Sequence, residues 1–169
     1  MTETCAQCGF DGAVYDADAL VRAVRALAPR WRHLLVSAGP ELRQRPSPGV
    51  WSAIEYAAHS VDVTALHVWG VEQALSGTEP ALPPIDERFL DEVAATYGEA
   101  DPEQVASALG METNLLASLA ADAGPAVWNR GLTIGDNRMD VRALLEHALH
   151  DSEHHLVDVE RGLAYLRAG

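Results

Sequence analysis

Lysine is missing altogether. All 12 basic residues are arginines, set against 25 aspartates and glutamates, for a formal charge of −13. Nucleic-acid binding runs on clustered Lys and Arg, so a chain this acidic is not expected to hold a phosphate backbone. An anionic membrane surface is disfavoured for the same reason. Solubility is the plain reading of such a charge. Long apolar runs are missing too; none approaches the ~18 consecutive residues that span a bilayer. The opening residues, Met1-Thr2-Glu3-Thr4-Cys5, show no basic stretch followed by an apolar one. No secretory signal is therefore expected, and the expected location is cytoplasmic. Aromatic residues are scarce at 6%, while Ala and Leu abound, which favours helices over strands. Two cysteines among 169 residues cannot make a disulfide framework.

What remains reads as one domain of four helices. Leu20, Val24, Leu27, Trp31, Leu34 and Leu35 recur at three- and four-residue steps, which predicts a helix from about Asp16 to Ala38 with Pro29 inside it. A loop rich in Gly and Pro follows. Ser52, with Glu55 three residues on, makes a capping pair for a second helix that runs to about Leu75 and stops at Gly77. Pro80, Pro83 and Pro84 make an extended connection, and a short amphipathic piece covers roughly Asp86 to Tyr97. Asp101-Pro102 starts a third long helix that ends near Ala121. A loop with a short hairpin around Trp128 to Arg138 precedes Asp140, the cap of a fourth long helix reaching about Leu166. Four helices with one or two long crossover connections make an all-α four-helix bundle over residues 16–169, preceded by an N-terminal tail over residues 1–15.

Four of the seven histidines lie within nine residues: His147, His150, His154 and His155. Residues four apart share a helix face, so His150 and His154 form a preformed clamp for a metal ion. His147 falls on the flank of that face. His155 is rotated by about 100° from His154 and is expected to point elsewhere. His59 sits mid-helix among apolar residues, where a histidine is more often a hydrogen-bonded core residue than a ligand. A His-x-x-x-His pair also occurs without metal. Together, on the second and last long helices of one bundle, the two elements reinforce each other.

These residues carry a resemblance. Trp51-Ser-x-x-Glu55-x-x-x-His59 and, some ninety residues later, His150-x-x-x-His154 resemble the DinB-like superfamily. That group includes the actinobacterial thiol-dependent S-transferases and the N-terminal domain of mycothiol-dependent maleylpyruvate isomerase. The likeness spans residues 16 to 166 and includes Trp128-Asn-Arg-Gly before the last helix. It implies a four-helix bundle holding a divalent metal, commonly zinc or nickel, on three residues, by position His59, His150 and His154, which would also be the catalytic centre. Three protein ligands leave an open position, the mark of a catalytic metal. In the family that position is thought to receive a low-molecular-weight thiol such as mycothiol or bacillithiol. A bound cation favours the thiolate, which is the nucleophile toward a small electrophile. Arg138 and Arg142, at the expected pocket mouth, would hold the cosubstrate. A homodimer is expected from related bundles. The competing expectation is a non-catalytic metal-binding, stress-response or interaction protein on the same bundle. No counterpart of the isomerase's second domain lies within these residues.

Other features have readings of their own. Cys5-Ala-Gln-Cys8-Gly9 is a CxxCG turn with three readings open: an inert tail, half of a zinc site completed by a histidine or a second subunit, or a redox pair. Asp62 and Asp151 could accept the outer N–H of a ligating imidazole; Glu55 and Glu153 lie near the same stripes. His33 and His67 stand alone and read as structural or exposed. The four tryptophans read as packing. No phosphate-binding glycine loop or nucleophile elbow is present.

Overall fold

The structure, a computed structural model, describes residues 2–84 and 87–168. Five helices carry most of the chain: α1 (Ala17–Ser37), α2 (Ala53–Ser76), α3 (Glu87–Ala94), α4 (Pro102–Asp122) and α5 (Val141–Ala168). Three short strands, β1 (Ala81–Leu82), β2 (Gly131–Ile134) and β3 (Asn137–Asp140), form one small sheet.

The helix starts follow from local chemistry. Asp16 accepts from the Ala19 amide at 2.7 Å, Asp101 from Gln104 at 2.9 Å, and Asp140 from Ala143 at 2.9 Å. Each carboxylate satisfies an amide that has no partner within its helix. At α2 the Ser52 amide donates to the Glu55 carboxylate at 2.8 Å, the reciprocal bond of a capping box. Gly77 ends α2 at φ +79, the left-handed conformation glycine adopts without steric cost. Pro29 sits inside α1, which is continuous through it.

Packing arranges the four long helices as a ring. α1 lies against α4 and α5, and α2 against the same two, so α1 and α2 sit diagonally across the bundle. The apolar stripe of α5 faces inward with Leu144, Leu145, Ala148, Leu149, Leu156 and Val159, all buried. Trp31 of α1 is fully buried and donates its indole N–H to Ser152 of α5 at 2.6 Å. The buried stripe and that bond together orient α5 about its own axis, and with it the neighbouring histidines.

The hairpin forms as β2 pairs antiparallel with β3, and β1 joins β2 in parallel, the extended course expected from its prolines. The short amphipathic piece is α3; residue 86 of the expected span lies outside the described residues. Among the described residues, no helix is long and apolar enough to cross a membrane.

Residues 2–15 depart from the expected free tail. Thr4 and Asp11 pair as an antiparallel bridge, Phe10 is buried against the core, and Gly12 donates its amide to Glu3 at 2.8 Å. A methyl group on Gly12 would lie 2.0 Å from Oε1 of the buried Glu146. Any side chain at position 12 would therefore have to displace the Glu146 carboxylate for this segment to close on α5.

Candidate metal centre

α2 carries His59 two turns in from its N-terminus. The start of that helix is held firmly, because Arg45 pairs with Glu55 through both Nε and NH2. Burial would raise the Glu55 carboxyl, but Arg45 and the hydroxyl and amide of Ser52 outweigh it and bring it down to about 2. Trp51, just before the cap, folds over the helix with its ring 5.3 Å from His59 and 5.9 Å from Tyr97.

Opposite His59, α5 presents Asp151 and His155, one helical turn apart. Asp151 Oδ1 lies 3.8 Å from His59 Nε2 and 3.4 Å from His155 Nε2. One ligand atom from each of the three residues falls within 4.8 Å of the others. Burial raises the Asp151 carboxyl, yet the two imidazoles hold it well below the usual carboxylate range. His155 shows the mirror image: burial lowers it, and Asp151 and Asp158 more than reverse that. Asp158 Oδ2 stands 3.5 Å from the outer nitrogen, Nδ1, of His155. Aromatic rings wall the group. Tyr56 packs 4.8 Å from His155, and Tyr97 6.1 Å from His59. The side chains of His59, Asp151 and His155 remain 17–23% exposed, so the group is reachable from solvent.

The structure therefore divides the expected triad of His59, His150 and His154. His59 groups with Asp151 and His155, whereas His150 and His154 group with Cys5 and Cys8. The physical reason is helical rotation. Positions 150/154 and 151/155 both have the four-residue spacing, but the two pairs are turned about 100° apart. Only the second pair faces α2. His155, expected to point away, is in the group, and Asp151, expected as a support for an imidazole, offers an oxygen directly. Asp62 is not a partner of His59; it accepts the Tyr97 hydroxyl at 2.7 Å, which together with burial pushes that phenol up.

His150 and His154 look toward the N-terminal segment. His147 and His150 each meet the Glu3 carboxylate through Nδ1, at 2.8 and 2.7 Å. Cys5 Sγ lies 3.5 Å from His154 Nδ1. The amide of Cys8, first, then the neighbouring His150, bring the Cys5 thiol down to about 6.

The two arginines expected to bind a cosubstrate are engaged with the protein itself. Arg138 bonds Glu79 at 3.1 Å and the Asn129 carbonyl at 2.8 Å. Arg142 donates to the carbonyls of Gly12 at 3.2 Å and Tyr15 at 2.9 Å, and lies 3.5 Å from Glu146. Both line a cleft of about 640 Å³ with Glu3 and His147, on the N-terminal segment's side of α5. Glu153 pairs with Arg30. His67, read as isolated, is a buried core residue whose Nδ1–H donates to the Val63 carbonyl at 2.5 Å; burial lowers it to about 4.

A helical bundle whose second and last long helices bring two imidazoles and a carboxylate together defines a class with a built polar centre between α2 and α5. The family model described as the DinB superfamily matches residues 19–158. The chain belongs to the DinB superfamily. A comparison with curated proteins finds no match. Among solved structures, the fold is similar to YfiT from Bacillus subtilis. The TM-score is 0.79 at 16% identity, over 89% of this chain and 87% of that one. YfiT is described as a probable metal-dependent hydrolase with an unusual four-helix bundle topology.

Proposed function

We propose that this protein is a metal-dependent enzyme whose divalent cation is held by His59, Asp151 and His155, and that it transfers a low-molecular-weight thiol to a small electrophile. One observation carries the cation: Asp151 Oδ2 is buried and has no hydrogen-bond partner among the described residues, on a carboxylate whose Oδ1 lies 3.4 and 3.8 Å from two imidazole nitrogens. An unpaired buried carboxylate oxygen costs ~1–3 kcal/mol or more, and a cation between the three groups removes that cost. The donor set fits zinc or nickel, with metal–nitrogen and metal–oxygen bonds of about 2 Å. Tetrahedral ligands at that distance stand about 3.4 Å apart, close to the 3.4 and 3.8 Å found here. Three protein ligands leave a position for a reactant.

When bound, such a cation favours the thiolate form of a coordinated thiol. The chain's own residues do the rest. Asp151 contributes one negative charge to the centre, which moderates its pull on a bound nucleophile. A thiol needs less acidification than water, with an ordinary pKa near 8.5, so this centre suits sulfur. Asp158 holds the outer nitrogen of His155 and thereby its tautomer and orientation. Trp51, Tyr56 and Tyr97 exclude water from one side of the group and offer an apolar wall to an electrophile.

A second reading, metal-dependent hydrolysis, is favoured by two points. Two histidines and a carboxylate also serve hydrolytic zinc centres, and YfiT is described as a probable metal-dependent hydrolase. One experiment decides. Metal-loaded protein is incubated with a panel of small thiols and an electrophilic aryl halide, and separately with activated esters and amides. Thiol conjugation that falls at least a hundredfold in His155→Ala supports S-transfer. Ester or amide cleavage with the same dependence supports hydrolysis. Neither activity above that of the variant overturns both.

A further inference from the structure

The group formed by Cys5, Cys8, His150 and His154 takes no part in the reading above. We propose that these four side chains bind one zinc ion in a closed, structural site that fastens the N-terminal segment to α5.

The cysteines are already shaped for it. In the turn Cys5-Ala-Gln-Cys8-Gly9-Phe10, the Gly9 amide donates to the Cys5 carbonyl at 2.8 Å, and the Cys5 amide to the Phe10 carbonyl at 2.9 Å. Gly9 sits at φ +77, in the left-handed region that lets the chain reverse beneath the two sulfurs. The result is a tight knuckle that presents two thiols on one side.

The histidines complete it. Each imidazole has one nitrogen tied to a carboxylate, and the other is left for a ligand. His150 Nδ1 meets Glu3 at 2.7 Å, and its Nε2 is buried without a hydrogen-bond partner among the described residues. His154 Nε2 lies 3.4 Å from Asp158, and its Nδ1 faces Cys5 Sγ at 3.5 Å. Carboxylates on the outer nitrogens are the usual supports of zinc-bound imidazoles. All four ligand atoms lie within 4.8 Å of one another. With Zn–S near 2.3 Å and Zn–N near 2.0 Å, tetrahedral sulfur and nitrogen ligands stand about 3.5 Å apart. That is the separation of Cys5 and His154.

Charge and chemistry favour zinc. Two thiolates and Zn²⁺ sum to zero, and binding releases to solvent whatever protons the two thiols still hold. Two sulfurs and two imidazoles in a tetrahedron suit zinc above the oxygen-seeking cations. A Cys5–Cys8 disulfide would consume the sulfurs but leave His150 Nε2 buried and unpaired. Four protein ligands leave no open position, which separates this site from the one at His59. Its work is mechanical: residues 2–15 bury only Phe10 and Gly12, too little apolar surface to hold a segment of that length by packing alone.

The test uses the full-length, untagged protein loaded with cobalt in place of zinc. A cobalt–thiolate charge-transfer band in the near ultraviolet is expected, because both cysteines of the chain are ligands. The band should survive His155→Ala and disappear in His154→Ala. Zinc content should fall by one equivalent in the Cys5→Ser/Cys8→Ser variant. A wild-type cobalt spectrum without the charge-transfer band overturns the proposal, whether or not the cysteine variant folds. So does an unchanged zinc content in a folded cysteine variant. The centre at His59 contains no sulfur, so loss of enzymatic activity and loss of this band report on different claims.

Discussion

His154 and His155 are consecutive in the chain, yet their rings stand at 83° with centroids 5.8 Å apart, and each belongs to a different cluster of potential ligands. One step along α5 thus separates a thiol-containing site on the side of the N-terminal segment from a histidine–carboxylate site facing α2. Asp158 sits between them, its Oδ2 within 3.4 Å of His154 and 3.5 Å of His155.

That shared carboxylate makes a specific expectation. Asp158→Asn should weaken metal retention at both centres, each by roughly 10–100-fold as for other carboxylate supports of ligating histidines. Glu3→Gln should weaken only the cysteine-containing one. Competition with a chromophoric chelator measures both. Two affinities that respond identically to Glu3→Gln would contradict the assignment.

His67 predicts an acid-sensitive core. Its imidazole is 3% exposed and burial lowers it to about 4, so the unfolded chain, with an ordinary value near 6.5, binds the proton more readily. Its folded-state advantage is intact above about pH 6.5 and is lost progressively as pH falls toward 4, by up to about 3 kcal/mol. Urea unfolding of metal-free protein at several pH values should show this slope, and His67→Gln should flatten it. Parallel slopes for the two proteins would count against the burial argument.

Glu55 titrates lower. Held down to about 2, it contributes stability that is present above about pH 4.5 and fades as pH falls toward 2. Glu55→Gln should cost about 2 kcal/mol at neutral pH by removing a buried charge-assisted bond to Arg45, while the glutamine oxygen can still accept from the Ser52 amide. The unfolding free energy at pH 7 checks it, with a smaller difference at pH 2.5 as the matching expectation.

Gly12→Ala probes the closure of the N-terminal segment. The added methyl meets the buried Glu146 carboxylate, so a destabilisation of about 1–3 kcal/mol is expected from overpacking. Faster proteolysis near residue 12, with α1 to α5 intact, would be the readout. Wild-type resistance in the variant would show that the carboxylate can move aside.

The bundle was legible in the sequence because its signals are local. Periodic Leu and Val, the Asp16, Ser52, Asp101 and Asp140 caps, and Gly77 each act within one turn, and the observed ends fall within two residues of the expected ones. For the histidines, the spacing in the sequence left the register open. His59 and a histidine of the last helix do approach each other, but two overlapping four-residue pairs, 150/154 and 151/155, are equally spaced. The choice between them is made by the rotation of α5, which tertiary packing sets, including the Trp31–Ser152 bond from 121 positions away. The N-terminal segment was opaque because residues 2–15 have no periodicity, and the histidines that face Cys5 and Cys8 lie more than 140 positions on. Arg138 and Arg142 bond carbonyls and carboxylates that only the tertiary fold brings near.

Anomalous diffraction at the zinc edge, from crystals grown with zinc, tests the division of the histidines most directly. Two peaks are predicted, one among His59, Asp151 and His155 and one among Cys5, Cys8, His150 and His154. A lone peak shared by His59, His150 and His154 would contradict it.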